Sequence, residues 1–228
     1  MTSVNPGPNP ATNPPADAPG TDLFPQFGDQ LYDMISSEVQ GLTDAQLDFE
    51  SNRWEWAGWS IRRNLSHMAS GDFRWFWRSW GQDLFPDGLA ESGEIEAILD
   101  SPNDRRLDES KYWTVDDILA MLRRALEFAR SILSNETVGS MRTREIESTT
   151  NDLWSGIREA GYSGIRQDAA DSGKIHITLE ATFRHRYFEH ITHLYNIQRL
   201  KRAQGLPTVA DIPMEGYLAL PTWDLSQP

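Results

Sequence analysis

Apolar side chains recur at intervals of three and four residues in four long stretches of this chain, the spacing of helices that each bury one face. The first stretch begins near Phe24, carries Phe27, Leu31, Met34, Ile35, Glu38 and Leu42 along one face, and stops at Gly41. The second runs from Ile61 to Trp80 behind Ser60 as N-cap, with Ile61, Leu65, Met68, Phe76 and Trp80 inside and Gly81 and Pro86 as stops. Thr114, with Asp117 three residues on, starts the third, whose stripe is Ile118, Leu122, Ala125, Leu126, Ala129 and Leu133. The fourth extends from about Thr178 to Gln204, ended by Gly205 and Pro207.

Four amphipathic stretches with few convincing strands predict an all-α, four-helix bundle with long loops. Thr43 caps a short turn, and shorter helices are expected at Glu94 to Leu99 and at Asn151 to Ala160. KIHITLEATF alternates enough to pass for a strand, which leaves the start of the fourth helix loosely placed. Residues 1–22 read as a disordered, Pro-rich tail, because Pro lacks a donor and the segment offers nothing to bury. Residues 23–207 form the bundle, and 208–228, with Pro213 and Pro221, read as an extended strap over it.

Charge and composition exclude several functions. The 34 Asp and Glu against 21 Lys and Arg give a net charge of −13, which repels nucleic-acid phosphates and anionic membranes. No Cys is present, so disulfides, thiolate nucleophiles and zinc knuckles are excluded, and any metal is held by nitrogen and oxygen. The first 20 residues hold six Pro and no basic residue, unlike an export signal, and no stretch approaches a membrane span of about 20 apolar residues. A soluble, cytoplasmic protein is expected. There is no phosphate-binding Gly loop, GxSxG or dinucleotide fingerprint.

Three of the five His fall within nine residues of the fourth helix, and His67 lies on the second. His185, Glu189 and His193 are spaced by four and stack along one stripe, while His190 and His193 form an i, i+3 alternative. His67 shares a polar row with Asn64, Gly71 and Arg74, and Gly71 leaves room beside it. A carboxylate and an imidazole from one helix, completed by an imidazole from a facing one, make a two-His, one-carboxylate metal site with open positions. Set against this, His and Glu at i, i+4 are common as a solvated pair. Tyr187, Tyr195 and Arg74 have spacings that could line a cavity beside an ion, or simply pack helices together.

WSIRRNLSHMASGDF resembles the second-helix motif of the DinB/YfiT-like proteins, with His67 in the place of the first metal ligand. RHRYFEHITHLYNIQRLKRAQGLP is similar to their fourth-helix motif, and alignment through Asn196, Ile197, Arg199 and Gly205 sets Glu189 and His193 on the two remaining ligand positions. LTDAQLDF is similar to the connection between their first two helices, so the resemblance spans about residues 24 to 207. It implies a DinB-like bundle that binds one divalent ion, zinc, nickel or iron, through His67, Glu189 and His193. The family usually has His where Glu189 stands, and a carboxylate there favours a harder ion or marks a site that has lost its metal.

The resemblance implies a metal-dependent transferase or hydrolase acting on a small-molecule substrate. Without Cys of its own, the chain needs an external low-molecular-weight thiol for thiol chemistry, or else a metal-bound water. The rival expectation is a non-catalytic helical bundle that binds a partner, or a second copy as a homodimer, through an apolar helix face.

Overall fold

The computed structural model describes residues 13–228. Four long helices dominate it: α1 (Asp29–Val39), α2 (Ile61–Phe73), α3 (Val115–Asn135) and α4 (Leu179–Ala203). Three of them, α2, α3 and α4, start at side chains that accept the otherwise unpaired first N–H groups. Ser60 accepts from Arg63 N–H, Thr114 from Asp117 N–H and Thr178 from Ala181 N–H. Thr43 and Gln46 form a reciprocal capping box on the short turn between α1 and α2. α2 continues without a break into a π-helical turn, Arg74–Ser79, whose wider winding carries three of the aromatic residues.

The helices bury the faces that the periodicity marks. Ile118, Leu122, Ala125, Leu126, Ala129 and Leu133 of α3 are all buried, as are Ile61, Leu65, Met68, Phe76 and Trp80 of the second stretch. α2 packs against α3 and α4, and α1 packs against the same two helices. This places α2 beside α4 along the length that carries the candidate ligands. Among the described residues no helix is long and apolar enough to cross a membrane.

The expectation of a purely helical chain is corrected by a small antiparallel sheet of β1 (Glu145–Thr149), β2 (Ile165–Gln167) and β3 (Lys174–Thr178), in the order β1-β3-β2. Ile177 of the central strand lies opposite Ile146 on one side and Ile165 on the other. Ile175 and Ile177 are buried against Trp154 and Ala181 in a satellite core. The alternation in KIHIT is therefore a strand. It ends where Thr178 becomes the cap of α4, so a strand and a helix join without a loop.

Both ends of the described chain are fastened down. The expected tail gives way over residues 13–22: Ala16 and Ala18 carbonyls accept from Gly139 and Val138 N–H, and Gly20 N–H donates to Glu136 at 2.8 Å. Gly20 is needed there because a Cβ would stand 2.6 Å from the Met141 sulfur and 2.8 Å from the Leu133 carbonyl. Residues 1–12 lie outside the described residues.

The strap is held by Glu38, which sits on the apolar face of α1 with its side chain fully buried. Its carboxylate accepts from Lys201 Nζ at 2.5 Å, Gln198 Nε2 at 2.7 Å and the N–H groups of Val209 and Ala210 at 2.6 and 2.7 Å. Burial pushes this carboxyl's pKa up, but the four hydrogen bonds outweigh it and hold the group ionised. Further along, the strap turns through a single 3-10 stretch, Gly216–Ala219, rather than staying extended throughout. Gly216 has φ +59° and lies so close to the Phe188 ring that a Cβ would overlap it.

Candidate metal centre

His67 projects from α2, and Glu189 and His193 project from successive turns of α4. The structure brings the three together: one ligand atom from each lies within 4.8 Å of the other two. His67 Nε2 stands 3.5 Å from Glu189 Oε2, and His193 Nε2 stands 3.6 Å from the same oxygen. Donor atoms about 2.0–2.2 Å from a common ion are themselves separated by about 3–3.6 Å. The spacing around Glu189 is that of a coordination sphere, and the cluster can hold a divalent ion.

The orientation of each ring is set from behind. His67 Nδ1 lies 2.9 Å from the Arg105 carbonyl and His193 Nδ1 lies 2.8 Å from Asn64 Oδ1. The Asn64 amide cannot be turned round, because its Nδ2 donates to the Trp59 and Ser60 carbonyls at 3.1 and 2.9 Å. Each Nδ1 faces an acceptor, so in the neutral tautomer it is the protonated nitrogen and Nε2 carries the lone pair. Two imidazole lone pairs and one carboxylate oxygen thus converge on one place, an arrangement that a cation satisfies.

The protonation state of His67 agrees with this. Burial, with the neighbouring His193, pushes His67 down to about 4, so the ring is neutral at physiological pH. The side chain of Glu189 is 20% exposed and that of His193 15%, so both ligand side chains of α4 touch solvent.

Arg105 is the one non-glycine residue with positive φ among the described residues, at +53°. This left-handed turn aims its carbonyl at both His67 Nδ1 and Ser70 Oγ, the latter 2.7 Å away. The loop is pinned again where Leu107 N–H donates to Ser66 Oγ. Trp59 stands over both imidazoles, 5.2 Å from His67 and 6.1 Å from His193 between ring centres, and the Arg105 and Arg106 guanidiniums lie on its ring.

The other histidines take different places. His190 is fully buried and pairs through Nε2 with Asp72 Oδ2 at 3.0 Å, so the register that would make it a ligand is not formed. His185, one turn before Glu189, is bonded to the Tyr217 hydroxyl and enclosed by Trp75 and Trp154. His176 lies on β3 and pairs with Asp168 at 2.8 Å. Tyr187 and Tyr195 do not line the centre: their hydroxyls donate to Glu215 and to the Leu225 carbonyl in the strap.

The room that Gly71 leaves beside His67 is taken by the Arg186 guanidinium. A Cβ at Gly71 would overlap Arg186 Nη2 and lie 2.8 Å from its Cζ. Arg186 donates from Nε to Asp72 Oδ1 at 2.7 Å, and its Nη1 stands 4.0 Å from Glu189 Oε2. Sequence spacing names Asn64, Gly71 and Arg74 as one row with His67, but gives no sign of Trp59, Asp72, Arg186 or the Arg105 carbonyl.

No protein-family model, no curated protein and no solved structure matches this chain. The donor set itself is what speaks for the chemistry. Two imidazoles and a carboxylate suit zinc, nickel or iron, and a set of three protein donors leaves coordination positions open.

Proposed function

We propose that the chain is a DinB-like divalent-metal protein of the cytoplasm, a metal-dependent transferase or hydrolase for a small molecule, with His67, Glu189 and His193 as its ligands. The observation that carries this reading is the convergence of three acceptors with both imidazole Nδ1 atoms already committed to Arg105 and Asn64. A surface His–Glu pair has no need of two such orienting partners. The ring of contacts in which α1 and α2 each pack against α3 and α4 supports the bundle part of the proposal.

A divalent ion held there supplies Lewis acidity to a water or an external low-molecular-weight thiol. The chain's own residues prepare the place for it. Asn64 and Arg105 hold the rings, Glu189 contributes the single negative charge, and Trp59 covers one side against water. Arg186 stands near enough to Glu189 to keep its carboxylate directed across the helix interface.

The test is metal retention. After loading with zinc, nickel or iron in turn and desalting, the wild-type chain is expected to keep close to one ion per molecule, measured by elemental analysis. His67→Ala and His193→Ala should each abolish retention, while His176→Ala, on the sheet, should not. Equal retention by all three variants would overturn the assignment.

A further inference from the structure

The one proton of a neutral His67 ring has two acceptors within reach. The Arg105 carbonyl lies 2.9 Å from Nδ1, and Glu189 Oε2 lies 3.5 Å from Nε2. A proton on Nδ1 leaves the Nε2 lone pair free for an ion, whereas a proton on Nε2 points at the carboxylate and closes the same place. A carboxylate is the stronger acceptor of the two. What favours the open form is therefore a backbone carbonyl kept at short range from Nδ1, and that carbonyl belongs to a loop.

Two serines of α2 hold the loop against the histidine. Ser70 stands three residues after His67 and four after Ser66, which turns all three side chains toward the same segment. Ser70 Oγ donates to the Arg105 carbonyl at 2.7 Å, nearer than the His67 carbonyl at 3.2 Å, so the oxygen that faces His67 Nδ1 is gripped from a second side. Ser66 Oγ accepts from Leu107 N–H at 3.0 Å. Ser66, Ser70 and Leu107 are all buried, which shields these bonds from water. Between the two serine contacts Arg105 keeps its φ of +53°, a conformation that a residue with a Cβ holds only where its surroundings fix it.

We infer that Ser70 is a positioning residue of the centre: with Ser66 it latches the Arg105 carbonyl onto His67 Nδ1 and so locks the imidazole in the tautomer that offers Nε2 to an ion. Ser70 acts through a backbone oxygen and does not itself reach the ion. The inference rests on the proposed metal reading for the use of the Nε2 lone pair, but the lock is measurable without an ion.

The experiment follows His67 in the metal-free full chain by long-range proton–nitrogen NMR, which separates an Nδ1–H ring from an Nε2–H ring. Wild type is expected in the Nδ1–H form. Ser70→Ala should bring in the Nε2–H form and weaken zinc binding about tenfold or more, read by competition with a chromophoric chelator. Arg105→Val and Arg105→Gly lose the same guanidinium from the Trp59 ring, but only the β-branched side chain opposes a positive φ. The Arg105→Val variant should therefore bind zinc about tenfold more weakly than the Arg105→Gly variant. An Nε2–H ring in wild type, a folded Ser70→Ala chain with unchanged tautomer and zinc affinity, or equal affinities of the two Arg105 variants would overturn the lock. If Ser70→Ala moves the tautomer but wild type retains no ion, the metal reading fails and the lock stands; if an ion is retained and Ser70→Ala leaves the tautomer in place, the lock fails and the metal reading stands.

Discussion

Replacing Glu189 by Gln should move stability in opposite directions with and without metal. In the metal-free chain, the carboxylate oxygen faces two imidazole lone pairs at 3.5 and 3.6 Å, and no donor lies between them. An amide Nε2 in its place can donate to both rings, at about 1 kcal/mol per neutral hydrogen bond. Against this gain of about 2 kcal/mol stands the lost attraction of Arg186, whose Nη1 is 4.0 Å away and whose Nε is already paired with Asp72, worth about 1 kcal/mol at a partly exposed carboxylate. The net is about 1 kcal/mol of added stability, or about 2–4 °C in Tm for a chain of this size. Wild type saturated to about 1,000 times Kd gains about 4 kcal/mol from the ion, several times the Tm shift. Scanning calorimetry in chelator and then in nickel or zinc reads both effects. A Glu189→Gln variant less stable than wild type in chelator would show that the carboxylate is a structural ion-pair partner. A metal-induced shift of wild-type size in the variant would show that Glu189 is no ligand. Either result refutes the converging-acceptor argument.

Asn64→Leu removes the acceptor that fixes His193 and should weaken metal binding about 10–100-fold, measured by competition with a chromophoric chelator. In chelator, stability should fall as pH drops from 6.5 toward 4, because burial holds His67 and His185 at about 4 while the unfolded chain takes up protons at the ordinary value of 6.5. Each site contributes roughly 3 kcal/mol across that window, and urea unfolding at pH 7.5 and 4.5 that gives equal stabilities would contradict it. Glu38→Gln leaves the Lys201 ammonium buried without its counter-charge and should cost about 3–5 kcal/mol in denaturant unfolding; a loss under about 1 kcal/mol would mean the pair contributes no more than one on the surface.

The long helices were legible because periodicity and caps agree: Ser60 and Thr114 each sit one residue before a helix that buries the expected stripe, and Thr43 caps the short turn expected of it. The sheet was not, since β1 reads EIEST and β2 only IRQ, with one apolar side chain each and charges on the exposed face. Such strands are recognisable only once β3 lies between them. The order of residues 13–22 has no hydrophobic signature, because they are held by backbone hydrogen bonds and a close glycine contact. At the centre, spacing marks His67, Glu189 and His193, and the row of Asn64, His67 and Gly71 hints at what surrounds them. The Arg105 carbonyl is invisible to any reading by residue type, since every residue has one. Its use depends on a φ of +53° that the sequence does not announce.

The buried carboxylate of Glu38 has a consequence for how the chain is made. Two of its four hydrogen bonds come from Val209 and Ala210, 171 and 172 residues later. At about 5–20 residues per second of synthesis, α1 waits roughly 10–30 s before these donors exist, with a charge on the face it must bury. Packing of α1 onto α4 is therefore a late event in vectorial synthesis, and the nascent protein keeps that face open to solvent or a chaperone until its last segment is made.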